Sequence, residues 1–352
     1  PGRRPRTWKW MTNPTALRPF IDEEPFCHFA AFIYSVVGEK MTESESSAGG
    51  GIPGLALDRY RRQIALDEPC AIDCGGPLPE EEKDAIVARL LDRLVRVERL
   101  TDIARLPAGY EARRRLLRGL LNIRPPQPLE EAFVDDMDLL LQDEAVRGVV
   151  TDAGSLPVVS EALRPGGLMN AGRLVLWKGD ITRLRADAIV NAANDRLLGC
   201  FQPLHNCIDN VIHSAAGPLL RRDCRTIMEI QGHPEYTGDA KITRAYNLPS
   251  KFVLHTVGPI IGGEGASDFQ RNQLASCYRS CLDLAGALPG IRTIAFPCIS
   301  SGVFNFPREA AAEIAIRTVA EWLGGRSHRL ERVIFNVFLQ EDLDVYAREL
   351  QR

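Results

Sequence analysis

At 352 residues, the chain is long enough for one large domain or two ordinary ones, and it can bury a core without disulfide bonds. Hydrophobic residues make up 45% and charged residues 25%, as in ordinary globular proteins, and the net charge of -3 gives no reason to expect nucleic-acid binding. Nine cysteines, an odd number without a regular framework, argue against a disulfide-stapled secreted module and predict a reducing compartment.

The first forty residues allow two interpretations. PGRRPRTWKW contains four basic residues, and no acid precedes Asp22, which is typical of a mitochondrial presequence. Alternatively, Met41 is the working start, and the residues before it are an upstream extension. We therefore predict a cytoplasmic protein, with a mitochondrial location as the alternative, and residues 1–60 as a disordered or presequence-like extension. The longest apolar run, at 26–38, is too short to span a bilayer, so we expect no membrane association.

Helical periodicity begins near Pro79. AIVARLLDRLVRVERL places apolar residues on one face, and YEARRRLLRGLLNIR and PLEEAFVDDMDLLLQDE repeat this pattern with prolines between them. We therefore predict a helical region over residues 75–165. Its arginines at 113–118 are interpreted as a solvated helix face rather than a nucleic-acid patch.

After Arg173, short β-rich runs alternate with helical stretches. The runs at 187–193, 252–258, 293–299 and 332–338 are apolar on both faces, as in strands that are covered by helices on each side. Helical patterns lie at 207–229, 268–286, 308–323 and 341–351. We predict an α/β domain over residues 170–352, built as a three-layer sandwich. Because neither GxxxxGK[ST] nor GxGxxG occurs, any phosphate-binding loop must be of another type.

The loop GCFQPLHNCIDN places Cys200, His205 and Cys207 within eight residues. Zinc binds cysteine sulfur and histidine nitrogen, and a catalytic site uses three protein ligands with one position open for water or substrate. The three residues therefore predict an open site with one Zn2+ per chain. Cys224 is the only nearby alternative as a fourth ligand, but the apolar pattern around it favours a core-facing position. The structural alternative for the loop is two buried thiols and a helix-capping histidine.

Five segments resemble the macrodomain family in content and in order. They are WKGDITRLRADAIVNAAN (177–194), IDNVIHSAAGPLL (208–220), TGDAKIT (237–243), FVLHTVGP (252–259) and FPCISSGVFNFP (296–307). The GCFxPxHxCIDN loop is similar to that of the zinc-containing macrodomains, which in bacteria accompany sirtuin-type ADP-ribosyltransferases and carry an N-terminal helical extension. The resemblance implies a macrodomain α/β/α sandwich with a mixed central sheet, preceded by a small helical region.

The resemblance also implies roles for individual residues. Asp180, beside the Ile181 backbone, is expected to bind the adenine amino group, and Asn194 the distal ribose. Asp209 matches the aspartate of the VDG motif of catalytic members, although Asn210 stands where glycine is usual. We predict Asp209 and Asn194 as catalytic. The remaining predicted ADP-ribose-binding residues are Asn191, Ser300, Ser301, Gly302, Val303 and Phe304, of which the last five match the second phosphate loop.

The resemblance implies an ADP-ribose-binding module that, in this subgroup, removes mono-ADP-ribose from modified protein side chains. Zinc lowers the pKa of bound water to about 7 or polarises a substrate oxygen, and Asp209 could act as general base or as the N-cap of the following helix. We therefore predict a monomeric, zinc-dependent hydrolase, a glycosidase-type enzyme of de-ADP-ribosylation. The alternatives are a non-catalytic ADP-ribose reader and an O-acetyl-ADP-ribose deacetylase. The chain has no GGG-x6-8-QEE signature, which makes degradation of poly-ADP-ribose a weaker hypothesis.

Overall fold

The computed structural model describes residues 54–68, 76–97, 106–163, 166–263, 265–325 and 327–352. The chain divides into two compact units, one with the described residues of Val87–Leu117 and the other with those of Ile52–Ile86 and Arg118–Arg352. The two interpretations of the first forty residues lie outside the described part. No helix within that part is long and apolar enough to cross a membrane.

Three amphipathic helices form where the periodicity predicts them: α1 (Glu80–Val97), α2 (Tyr110–Ile123) and α3 (Glu131–Arg147). Three glutamates open α1, where negative charge complements the helix dipole, and α2 ends just before the prolines that cannot continue it. In the larger unit, α3 buries Phe133, Met137, Leu140 and Leu141. A single helical turn, α4 (Val159–Ala162), completes the region.

The six-stranded sheet is mixed, as predicted. The strands of the described residues are β1 Thr151–Asp152, β2 Leu174–Lys178, β3 Leu184–Arg185, β4 Ala188–Ala193, β5 Ala240–Arg244, β6 Phe252–Val257, β7 Thr293–Phe296 and β8 Arg332–Val337. The order in the six-stranded sheet is β2-β8-β7-β4-β6-β5, with all neighbours parallel except the antiparallel edge pair of β5 and β6. A separate two-stranded parallel ribbon joins β1 and β3.

Helices cover both faces of this sheet. Alternate residues of β4 enter different hydrophobic clusters, Ala188 and Val190 on one face and Ile189 on the other, which confirms the three-layer architecture. The helices are α5 (Ile208–Ala216), α6 (Pro218–Gln231), α7 (Asp268–Ala287), α8 (Arg308–Gly325) and α9 (Gln340–Leu350).

The helical stretch predicted over 207–229 is divided into two helices, α5 and α6, a break that the predicted pattern did not include. The chain breaks at Gly217, where φ is 92°, and Pro218 begins the new helix at a position where a missing N–H costs nothing. The break lets α5 carry the predicted site residues independently of α6.

A short segment before the helical region also contributes to the core. Tyr60, Ile64 and Leu66 are buried in the hydrophobic cluster that holds α7 and α8. The Tyr60 hydroxyl accepts a hydrogen bond of 3.1 Å from the backbone N–H of Ile242 on the edge strand β5. Residues 54–68 therefore cover part of the sheet edge, and the predicted boundary at residue 60 falls inside this packed segment.

Candidate functional site

The predicted ligand-binding residues lie on segments that meet at one edge of the sheet. Strands β2, β8, β7 and β4 run parallel, so their carboxyl ends share an edge, the usual ligand position in an open α/β sheet. Gly179 and Asp180 follow β2, Asn191 and Asn194 lie at the end of β4, and the 300–304 loop follows β7. The sheet topology thus gathers segments that lie more than a hundred residues apart in the sequence.

A buried carboxylate lies where β4 meets α5. Asp209, 5% exposed, accepts hydrogen bonds from the side-chain amides of Asn191 (2.8 Å to Oδ1) and Asn194 (3.5 Å to Oδ2). Asn194 also donates to the carbonyl of Gly199 at 3.0 Å. Burial raises the pKa of Asp209 to about 6, against the opposing effects of the Asn191 hydrogen bond and the charge of Arg221. The structure therefore brings Asn191, Asn194 and Asp209 into direct contact.

The N-cap interpretation of Asp209 was wrong. Cys207 occupies the N-cap of α5, and Asp209 lies in the first helical turn. Both residues are consequently fixed on the same rigid turn, with the carboxylate directed to the amides of β4.

The loop between β4 and α5 gathers the three predicted metal ligands. One donor atom from each of Cys200, His205 and Cys207 lies within 4.8 Å of the others, and the Cys200 Sγ to His205 Nδ1 distance is 3.5 Å. The hydrogen bond between the two thiols lowers the pKa of Cys200, and the Cys207 thiol raises the pKa of His205. Two sulfur donors and one imidazole nitrogen, all half-buried, fit zinc in type, number and proximity.

A second histidine and cysteine group lies in the core beneath Asp209. His213, Cys224 and His255 are fully buried, with donor atoms within 4.8 Å of one another. Cys224 therefore faces the core, as its apolar surroundings predict, and not the metal loop. Its Sγ lies 3.7 Å from Nε2 of His255.

His255 helps to orient Asn191. Burial lowers the pKa of His255 to about 3, so the ring is neutral. Its Nδ1 lies 3.2 Å from Asn191 Nδ2, which also donates to Asp209, and its Nε2 lies 3.0 Å from Thr243 Oγ1. These partners assign the acceptor role to Nδ1 and the proton to Nε2. The sequence favours His255 as a hydrogen-bonded core residue, as the structure shows. Its contact with Asn191 was not predicted, because nothing in the sequence pairs β6 and β5 with the end of β4.

The predicted phosphate loop has a constrained backbone. Ser300 adopts a φ of 64°, its carbonyl accepts from the Phe306 N–H (2.9 Å), and the Phe304 carbonyl accepts from the Ile261 N–H (2.9 Å). The buried Ser300 Oγ has no hydrogen-bond partner among the described residues. It packs against Gly258, where a Cβ atom would lie 2.0 Å away, so only glycine fits there. Within the loop, Val303 is 56% exposed.

The other end of the shared edge carries Asp180 and an aromatic residue that sequence analysis missed. Asp180 Oδ1 accepts hydrogen bonds from the N–H (2.9 Å) and hydroxyl (2.7 Å) of Thr182. The Gly179 N–H donates to the Val337 carbonyl at 3.0 Å, which places Asp180 and Phe338 on neighbouring strand ends. Phe338 is 71% exposed. Its sequence signal was the aromatic residue that ends the predicted run 332–338, one position beyond the observed strand β8.

The fold and this edge define an α/β module with a buried carboxylate–amide cluster at the carboxyl ends of its strands. Residues 190–315 match the Macro domain family. A Protein-ADP-ribose hydrolase of Treponema medium is 47% identical, and the alignment covers 69% of this chain and 89% of the relative. A Protein-ADP-ribose hydrolase of Staphylococcus aureus is 43% identical, and the alignment covers 75% of this chain and 94% of the relative. The crystal structure of the Trypanosoma brucei macrodomain in complex with ADP shares 30% identity, covers 67% of this chain and 95% of its own, and gives a TM-score of 0.50.

The chain therefore belongs to the macrodomain family. The similarity to the hydrolases extends well beyond the α/β domain, because 75% of this chain aligns with the Staphylococcus aureus protein.

Proposed function

We propose that this chain is a zinc-dependent hydrolase that removes mono-ADP-ribose from modified protein side chains. It is an enzyme of the hydrolase class within its family, as its relatives named Protein-ADP-ribose hydrolase are. The observation that carries the finer proposal is the placement of Asp209 in the first turn of α5, two residues beyond Cys207, which is one of the three grouped zinc-type donors.

The loops at the carboxyl edge supply the parts that ADP-ribose needs. We propose that Asp180 binds the adenine amino group and that the exposed ring of Phe338 stacks on the adenine face. The strained 300–304 loop would receive the pyrophosphate, where backbone N–H groups and the Ser300 hydroxyl can meet an anion. Asn194, half-buried beside Asp209, would then contact the distal ribose.

Asp209 is the proposed general base. Asn191 and Asn194 hold its two oxygens, so the carboxylate is oriented before substrate arrives. A carboxylate removed from water is a stronger proton acceptor than an exposed one, which suits removal of a proton from water at neutral pH. Zinc held by Cys200, His205 and Cys207 would supply Lewis-acid chemistry, either by polarising an oxygen or by lowering the pKa of a bound water.

The test combines metal content with turnover. Elemental analysis of wild type should give about one zinc per chain, as an open three-ligand site predicts. The Cys207→Ser variant should lose both zinc and release of ADP-ribose from a mono-ADP-ribosylated protein. Cys281→Ala is the matched control, because that buried thiol belongs to the α7 core and should leave both quantities unchanged. Wild-type protein without zinc would contradict the metal dependence.

Asp209→Asn tests the base separately from the metal. The substitution keeps the shape of the side chain and removes its charge, so turnover should fall by about 10²–10⁴-fold, the usual contribution of a general base. Zinc content should stay at the wild-type value. Unchanged turnover would show that Asp209 is not the base.

Two further experiments distinguish the alternatives. A chelator that abolishes turnover and spares ADP-ribose affinity supports the hydrolase, whereas affinity without turnover in the zinc-loaded protein supports a reader. Parallel rates on O-acetyl-ADP-ribose and on a mono-ADP-ribosylated protein identify the preferred substrate. We also propose that an ADP-ribosyltransferase, of the sirtuin type that the family resemblance implies, supplies the modified protein.

A further inference from the structure

We propose that Asn122, in the last turn of α2, is a positioning residue for the metal site: it holds the ligand loop 200–207 in the arrangement that binds zinc. This inference rests on the proposed zinc-dependent function. It gives the end of α2 a role in the site, separate from any role in recognising the target protein.

The Asn122 side chain makes three hydrogen bonds to the loop and to α5. Its Oδ1 accepts from the Leu204 N–H at 3.0 Å and from Asn210 Nδ2 at 3.3 Å, and its Nδ2 donates to Ser214 Oγ at 3.0 Å. The residue is 2% exposed. A buried amide with this many partners is expensive to remove, because each lost bond leaves another polar group unpaired.

These bonds lie next to the proposed ligands. Leu204 immediately precedes His205 and adopts a φ of 55°, a left-handed conformation that a leucine holds only when its surroundings impose it. The hydrogen bond from the Leu204 N–H to Asn122 is one such constraint. Without it, we expect the backbone before His205 to relax and the imidazole nitrogen to move away from the two sulfurs.

Asn210 closes the same loop from the other side. Its Nδ2 donates to the carbonyls of His205 at 2.9 Å and Gln202 at 3.3 Å as well as to Asn122. The glycine that is usual at this position has no side chain to make these bonds. Asn210 thus ties the loop carbonyls of Gln202 and His205 to the side chain of Asn122.

Arg221 fixes the backbone that presents Asn122. Its Nη1 donates to the carbonyls of Leu121 (2.7 Å) and Arg124 (2.8 Å), and its Nη2 to that of Asn122 (3.1 Å). These are carbonyls at the end of α2, which need donors from outside the helix. The guanidinium carbon also lies 5.0 Å from the centroid of the Phe201 ring, inside the metal loop. One buried cation therefore joins the end of α2 to both the loop and α6.

The test measures metal affinity directly, by competition of the intact chain against a zinc chelator. Outer partners of metal ligands typically contribute about 10–100-fold to affinity, so Asn122→Ala should weaken zinc binding by a factor in that range. Asn122→Asp keeps an oxygen to accept from Leu204 and Asn210, and should restore most of the affinity. Cobalt substitution adds a spectroscopic readout, because the thiolate-to-cobalt absorption should change in Asn122→Ala and return towards wild type in Asn122→Asp.

Asn247→Ala is the matched control for lost stability. Asn247 is also a buried amide (5% exposed) that joins the helical region to α5, through Asp138 Oδ1 at 2.6 Å and the Ala216 carbonyl at 3.1 Å. It should destabilise the fold without changing zinc affinity. Equal zinc affinity in wild type and Asn122→Ala, or an equal loss in Asn247→Ala, would overturn the positioning role. Wild type that binds no zinc would overturn the proposed metal dependence itself, and with it this inference.

Discussion

Replacement of Phe338 by alanine isolates the adenine end of the proposed site. The ring is 71% exposed at the carboxyl end of β8, beside Asp180, so truncation removes little buried surface. We expect the free energy of unfolding to change by no more than about 0.5 kcal/mol, as for ordinary surface substitutions. Stacking of a base on an aromatic ring contributes about 1–3 kcal/mol, so ADP-ribose binding should weaken by about 5–150-fold.

Calorimetric titration of ADP-ribose into wild type, Phe338→Ala and Phe338→Trp checks this expectation. The tryptophan variant keeps a flat ring and should bind within a few-fold of wild type. Phe269→Ala is the control, because Phe269 is equally exposed (70%) but lies in the first turn of α7. Binding by Phe338→Ala within twofold of wild type, or an equal loss in Phe269→Ala, would refute the stacking role.

Three further predictions concern the packing that supports the site. Tyr60→Phe should lower the free energy of unfolding by about 1–3 kcal/mol in chemical denaturation, because a buried N–H of β5 loses its partner; no change would mean that water replaces the hydroxyl. Lys241→Met leaves the carboxylate of Glu235 buried without its ion-pair partner, and should lower the free energy of unfolding by about 3–5 kcal/mol in the same assay. The double variant Lys241→Met with Glu235→Leu should recover stability, and a double variant without recovery would contradict this reasoning. Gly258→Ala forces a methyl group onto Ser300 Oγ and should lower the free energy of unfolding by about 1–3 kcal/mol in chemical denaturation; an unchanged free energy would show that the loop adapts.

Much of the fold followed from local patterns. Helical periodicity predicts α1 to α3, and runs that are apolar on both faces predict β4, β6, β7 and β8. Both predictions are possible because the spacing of apolar residues is visible within each segment. The edge strand β5 was not predicted. Its sequence AKITR alternates polar and apolar residues only briefly, and its strand conformation depends on pairing with β6.

The site divides in the same way. Cys200, His205 and Cys207 are close in sequence, so their grouping could be predicted from spacing. The contacts of His255 with Asn191 and of Asn122 with Asn210 could not be predicted, because His255 and Asn122 come from distant parts of the chain and meet the site only in the folded state. Phe338 is an intermediate case: the sequence pattern predicted the strand run that contains it, but not that its ring is exposed beside Asp180.

This division predicts the result of a loop transplant. Residues 199–210 of this chain, placed in a macrodomain that lacks the helical extension, would bring all three proposed metal ligands and Asp209 but not the amide of Asn122. We expect the transplant to bind zinc about 10–100-fold more weakly than this chain, since only the outer support is missing.

The control is this chain with Asn122→Ala, which should match the transplant in chelator competition. If the transplant instead bound zinc as tightly as the wild-type chain, the loop would hold its own geometry. The left-handed Leu204 and the hydrogen bonds from Asn210 to the carbonyls of Gln202 and His205 would then suffice. A zinc affinity between those of the wild-type chain and the Asn122→Ala variant would measure how much of the loop geometry is held by contacts within the loop and how much by α2.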